Sequence, residues 1–164
     1  MIDYSCLQGK LAFVSGATGA IGAAIAQSLS SVGVNLIING SNQKKLLKVK
    51  EKLSTHVNII VGDISEQSEI IRIVDETLPL GEIDILINCA GVFPQKSINE
   101  LDISEYNKVM NINLNAPYLF SVALSKKMVR NHWGRIVNIG SASSYAGFKN
   151  TVAYCTSKHA ILGM

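Results

Sequence analysis

Charge is scarce in this chain: only 16% of its 164 residues are Asp, Glu, Lys or Arg, and the net excess is +3. So small an excess, spread along the sequence, gives no basic footprint for nucleic acid and reads as surface lysines. Cysteine is sparse too. Cys6, Cys89 and Cys155 show no paired framework, which points to a reducing, cytoplasmic setting, with Cys89 and Cys155 as small apolar fillers. Met1-Ile2-Asp3-Tyr4-Ser5 lacks the pattern of a signal peptide, and no apolar run approaches membrane-spanning length. His56, His132 and His159 form no i,i+4 pair and have no cysteine at ligand spacing, which argues against a metal. Ser141 has Ile139 two residues before it, so the G-x-S-x-G elbow of a hydrolase is missing.

What the chain does have is apolar character: 48% of its residues are hydrophobic, enough to bury one substantial core. Strand and helix patterns alternate without repeat or linker. Strands are expected at Leu11–Val14, Asn35–Asn39, Val57–Val61, Ile83–Asn88 and Arg135–Ile139. Helices are expected at Ala20–Val32, Gln43–Leu53, Gln67–Leu78 and Ser104–Asn131, with a further one opening at Tyr154. This is the signature of an α/β, Rossmann-type doubly wound parallel sheet with helices on both faces, read here as one domain over residues 1–164. In such a sheet ligands bind beyond the carboxyl ends of the strands, where Gly16, Gly40, Asp63, Asn88 and Gly140 all fall. Lys44, Lys45, Lys48 and Lys50 read as a solvated helix face, and Lys126, Lys127 and Arg130 as complements to a helix dipole.

Two stretches carry chemistry. The first strand enters Ser15-Gly16-Ala17-Thr18-Gly19-Ala20-Ile21-Gly22 and then a helix, an arrangement whose free backbone N–H groups suit a pyrophosphate. Its glycines stand at 16, 19 and 22, so the G-x-G-x-x-G fingerprint is absent. Near the other end, Tyr154 and Lys158 lie four apart on one helix face, with Ser141 after a strand. A cation fixed beside a phenol favours the phenolate, and a tyrosine so placed exchanges a proton with an alcohol near neutral pH. Tyr145 and Lys149 repeat the spacing, but Gly147 between them disfavours a helix. Ser143 and Ser144 read as loop or cap residues, and from the residues alone Asn113 reads as a helix brace.

Together these motifs resemble the classical short-chain dehydrogenase/reductase family. The family's Thr-Gly-x-x-x-Gly-x-Gly loop is met by Ser15, Gly16 and Gly22, with Ala20 at the middle glycine and Gly19 beside it. Its Asn-Asn-Ala-Gly motif is met by Asn88-Cys89-Ala90-Gly91, and its adenine-facing aspartate by Asp63. Its tetrad of Asn, Ser, Tyr and Lys matches Asn113, Ser141, Tyr154 and Lys158.

The resemblance implies hydride transfer between a nicotinamide and a carbonyl or secondary alcohol. Tyr154 would exchange the proton and Ser141 would hold the substrate oxygen. Lys158 would hold the ribose and bias the tyrosine, and Asn113 would hold a water linking the lysine to solvent. The implied cofactor contacts are Ser15, Gly16, Thr18, Gly19, Ala20, Ile21, Gly22, Ser41, Asn42, Asp63, Ile64, Asn88, Ala90, Gly91, Tyr154 and Lys158. No Asp or Glu occurs from Tyr4 to Lys50, so nothing after the second strand repels a 2′-phosphate, and NADP is favoured over NAD. The first expectation for substrate is a 3-oxoacyl group on a carrier protein. A sugar alcohol or hydroxy acid is the alternative, and a non-catalytic cofactor-binding fragment is the reading from another class. Complete relatives are expected to be homo-oligomers. Their chains continue past the lysine, so Met164 is expected to end the Tyr154 helix after barely two turns and leave Arg135–Ile139 as an unpaired edge. The family's carboxyl-terminal strands and substrate loop would then be missing, and the chain poorly stable and inactive.

Overall fold

A computed structural model describes residues 3–164; Met1 and Ile2 of the segment read as lacking a signal peptide lie outside the described residues. Five strands form one parallel sheet: β1 (Leu11–Ser15), β2 (Asn35–Gly40), β3 (Val57–Val61), β4 (Ile85–Asn88) and β5 (Arg135–Asn138). Their order in space is β3-β2-β1-β4-β5, so the chain winds outward from β1 in both directions. Strand alternation explains the two cores. Phe13, Ile37 and Leu86 point to one face, where they meet α3 (Gln67–Thr77) through Ile70 and Ile73 and α5 (Ala116–Leu124) through Phe120. Val14, Ile38 and Ile87 point to the other, against Ala26 of α1 (Ala20–Ser31) and Leu46 of α2 (Gln43–Lys50). With both faces covered, the central strands read as unbroken apolar runs.

Several element ends differ from expectation for local reasons. The α2 helix stops at Lys50, and its last turn tightens into Lys52 N–H to Val49 and Leu53 N–H to Lys50 bonds, each 3.0 Å. The β4 strand begins at Ile85 because the Asp84 carboxylate takes the Leu11 N–H at 3.0 Å and pairs with Lys127 at 3.2 Å. Lys127 and Arg130 therefore answer specific acids, Asp84 and Glu82, rather than only a helix dipole.

The expected helix over 104–131 is the largest revision. It is divided into α4 (Ile103–Met110), a π-helical turn (Asn111–Asn115), α5 and α6 (Lys126–Arg130). Pro117 has no N–H and its ring crowds the carbonyl four residues back, that of Asn113, which accounts for the widening before it. The last helix, α7, spans Val152–Gly163, 12 residues rather than barely two turns. Between it and β5, Tyr145 is 80% exposed and in no helix, so the second Tyr-x-x-x-Lys repeat forms no shared face. Among the described residues β5 pairs with β4 alone, and its Ile136 and Val137 are each 42% exposed. No helix among the described residues is long and apolar enough to cross a membrane.

Candidate active site

The turn between β1 and α1 closes on itself and on the sheet. Ala17 donates to the Asn39 carbonyl at 3.0 Å, and Gly19 to Gly16 at 3.0 Å. Gly16 has φ +67, and a Cβ there would meet the Ala90 backbone at 2.5 Å; one on Gly22 would meet the Gly16 oxygen at 2.4 Å. Both positions thus accept only glycine. Gly19 caps α1 without a side-chain hydrogen bond, so the first N–H groups of the helix are left for a ligand. They face a cavity of about 450 Å³ lined by Gly16, Thr18, Gly19, Ala20, Ile21 and Gly22 on one side. Ser41, Asp63, Ile64, Ala90 and Gly91 complete it from the ends of the neighbouring strands. A dinucleotide fits this donor set: uncapped amides stand where its diphosphate would lie, and Asp63 stands at the far strand end.

Five expected cofactor contacts do not line this cavity: Tyr154 and Lys158 belong to the neighbouring site on α7, and the other three have side chains engaged within the protein. Ser15 is buried below the cavity, where its hydroxyl accepts the Cys89 and Ala90 N–H groups at 3.1 and 3.3 Å and ties β1 to β4. Asn88 is 3% exposed and spends its amide on Asn138 Oδ1 at 2.8 Å, leaving its own Oδ1 buried without a partner. Asn42 caps α2 by accepting the Lys45 N–H at 3.0 Å. Gly40 lines the cavity as its place after β2 implied, and Cys89 lines it too, whereas Asn39, Gly62, Val92 and Ile112 line it without having been expected there. Asn39 and Gly62 follow from their places at strand ends, whereas Ile112 comes from the π turn.

Tyr154, Lys158 and Ser141 meet across the gap between α7 and the end of β5. The Lys158 Nζ lies 5.8 Å from the centre of the Tyr154 ring and donates to the Ile139 carbonyl at 2.5 Å. Burial pushes the ammonium below the usual lysine range. Ser141 caps a short turn at Ala142–Ser144: its oxygen accepts the Ser143 N–H at 3.1 Å, while Ser144 Oγ accepts the Ser141 N–H at 3.1 Å. The Ser141 proton is therefore available to a substrate oxygen. Phe93 stands edge-on to Tyr154 with ring centres 4.6 Å apart. Tyr154, Ser141, Phe93, Gln95, Phe148 and Lys149 line a second pocket of about 440 Å³.

Asn113 is 1% exposed, and both atoms of its amide are hydrogen-bonded. Its Oδ1 accepts the Val92 N–H at 2.9 Å, and its Nδ2 donates to the Val92 carbonyl and to Ser157 Oγ, each at 3.0 Å. The side chain is a brace between Val92 and Ser157, and Pro117 supplies no N–H to the Asn113 carbonyl, which leaves that backbone oxygen as a place for a water. Cys155 is no apolar filler. It hydrogen-bonds Thr151 Oγ1 at 3.1 Å, which draws the thiol below its ordinary range, whereas burial pushes the Cys89 thiol up. Among the described residues no cluster of three His, Cys, Asp or Glu is placed to hold a metal.

Known proteins match this arrangement. The short chain dehydrogenase family profile matches residues 10–164, and the chain belongs to that family. A 3-oxoacyl-acyl-carrier-protein reductase of Rickettsia typhi is 34% identical over 164 residues; the chain spans 66% of that relative's length. The crystal structure of a metagenomic short-chain oxidoreductase in complex with NADP superposes with a TM-score of 0.91 at 29% identity, over 97% of this chain and 74% of that one. A candidate NAD(P)-dependent gluconate 5-dehydrogenase from Beutenbergia cavernae, with bound NADP, gives 0.88 at 28% identity, over 98% of this chain and 65% of that one.

Proposed function

We propose that the chain is a nicotinamide-dependent oxidoreductase acting between a carbonyl and a secondary alcohol. One observation carries this reading: Tyr154 and Ser141 line a pocket whose wall residue Phe93 directly follows Val92, a lining residue of the cavity at the amino end of α1. The uncapped amides of Ala20, Ile21 and Gly22 would hold the diphosphate of a dinucleotide, Asp63 and Ile64 its adenine side, and Lys158 and Tyr154 the nicotinamide ribose. When bound, the nicotinamide supplies or accepts hydride. Ser141 donates to the substrate oxygen, and Tyr154 gives that oxygen a proton in reduction or takes one in oxidation. Lys158, anchored on Ile139, holds positive charge beside the tyrosine. Asn113 fixes α7 through Ser157 and the segment after β4 through Val92.

NADP is the cofactor we favour, because Ser41 at the cavity edge and the stretch around it carry no carboxylate. Two solved relatives bound to NADP support this. For the substrate, a 3-oxoacyl group on a carrier protein is supported by the name of the Rickettsia typhi relative, and a sugar acid or hydroxy acid by that of the Beutenbergia cavernae neighbour. We read the chain as one nucleotide-binding domain, and a homo-oligomer is supported by apolar Ile103 and Tyr118, 72% and 55% exposed on α4 and α5. Free Cys6, Cys89 and Cys155 support a cytoplasmic setting. The test is fluorescence titration with NADPH together with a turnover assay on acetoacetyl thioesters and on 2-hydroxy and sugar acids. Cofactor binding with turnover of any of them is expected; binding without turnover would leave a cofactor-binding module, and no binding would end the reading.

A further inference from the structure

The pocket in front of Tyr154 has one formal charge on its wall. Lys149 lines it, and no Asp or Glu does. Among the described residues Lys149 forms no ion pair, while the neighbouring cation Lys96 is engaged by Glu105 at 2.6 Å. The loop that presents Lys149 is fixed on both sides. Thr151, 2% exposed, reaches back with its hydroxyl to the Phe148 carbonyl at 2.8 Å, and Lys96 N–H takes the Asn150 carbonyl at 2.8 Å. Asn150 holds φ 60, a left-handed conformation that Asn tolerates better than most residues and that makes the turn after Lys149. These bonds fix the backbone that presents Lys149, and its exposed side chain stands at the rim of the pocket. Around it Phe93 and Phe148 supply apolar walls and Gln95 a polar amide.

From this geometry we propose that Lys149 is a specificity-determining residue and that the substrate is a small carbonyl or hydroxy compound carrying its own anionic group, a carboxylate or a phosphate. The proposal rests on the oxidoreductase reading, since Tyr154 and Ser141 define which end of the molecule reacts. The pocket, at about 440 Å³, has the size of a small-molecule site, and Tyr154 and Lys149 line it together, so one small molecule can meet both. The reacting oxygen lies at Tyr154 and Ser141, the apolar segment between Phe93 and Phe148, and the anion at Lys149. A hydrogen bond to a charged group supplies about ten- to a hundredfold in affinity or kcat/KM.

The experiment compares matched pairs: 3-oxobutanoate against its methyl ester, and dihydroxyacetone phosphate against dihydroxyacetone. Each is assayed with NADPH on the 164-residue chain and on Lys149→Met, Lys149→Arg and Lys149→Glu. The anionic member is expected to lead its neutral partner by about tenfold or more in one pair, which tells carboxylate from phosphate. Lys149→Met should bring that ratio towards one, Lys149→Arg should keep it and Lys149→Glu should invert it. A ratio equal in the wild-type chain and Lys149→Met overturns the proposal while leaving the oxidoreductase reading intact. If no carbonyl is turned over, that reading fails, and titration calorimetry with 3-hydroxybutanoate, glycerol 3-phosphate and their neutral counterparts decides the proposal alone. A lysine-dependent preference for an anion sustains it, and equal dissociation constants across the four chains end it.

Discussion

Asn113 and Ser157, 44 positions apart, share a hydrogen bond of 3.0 Å with both side chains buried. It joins the π turn in front of α5 to the helix that carries Tyr154 and Lys158. Ser157 in turn donates to the Tyr154 carbonyl at 2.7 Å, so the brace reaches the backbone of the tyrosine itself. Ser157→Ala leaves one Asn113 N–H without an acceptor, and a buried unsatisfied donor costs about 1–3 kcal/mol. Urea unfolding should show that loss, with kcat falling while the dissociation constant for NADPH holds. Because Asn113→Ala removes the same bond, the double variant should cost less than the sum of the two. Strictly additive losses would mean the two side chains act independently.

The two tyrosines make the sharpest contrast. Tyr154 is half-buried against Phe93 beside Lys158, whereas Tyr145 is 80% exposed. Tyr154→Phe should lower turnover by roughly 10²–10⁴-fold, the range a positioned proton donor supplies. Cofactor affinity should stay close to that of the unaltered chain. Tyr145→Phe should change turnover little. Equal losses at both positions, measured side by side with one substrate, would place the proton path elsewhere.

The sheet was legible because its determinants are local. An apolar run such as Leu11–Val14 with a glycine turn behind it has few other solutions, and β3 falls on the expected bounds, Val57–Val61. The turn at Gly16 and Gly22 was equally readable, since the steric demand sits in the glycines themselves. What the pattern did not reveal depended on partners distant in sequence. Helical periodicity runs straight through Asn111–Asn115, and only Pro117 hints that the helix widens there. Ser15 and Asn88 stand in a cofactor motif, yet their side chains are spent on β4 and β5. Lys149 belonged to a discarded repeat, and only the folded loop brings it to the pocket of Tyr154.

Cofactor choice should follow charge at the end of β2. Ser41 lines the cavity and is exposed, and no carboxylate occurs between Tyr4 and Lys50. NADPH should therefore bind more tightly than NADH. Placing a carboxylate there by Ser41→Asp should weaken NADPH by about tenfold or more through repulsion of the 2′-phosphate, and should favour the free 2′-hydroxyl of NADH. Dissociation constants for both cofactors on both chains measure this. Tighter NADH binding by the unaltered chain would contradict it.

Lys158 makes a prediction about stability against pH that runs opposite to that of a lysine gaining an acidic partner. It is 6% exposed and faces a carbonyl rather than a carboxylate, so burial lowers its folded pKa below the 10.5 of an ordinary lysine. At neutral pH the folded chain bears the cost of a buried ammonium. As pH rises through the lowered folded value, the native lysine sheds its proton while the unfolded one keeps it, so the unfolded state binds more protons and stability rises. The gain ends once pH passes 10.5, where the unfolded lysine also becomes neutral. Lys158→Met has no such titration. Urea unfolding from pH 7 to 10 should therefore show the unaltered chain gaining stability relative to Lys158→Met as pH climbs. A difference between the two that stays flat, or that widens against the unaltered chain, would mean the ammonium is better solvated than its burial indicates.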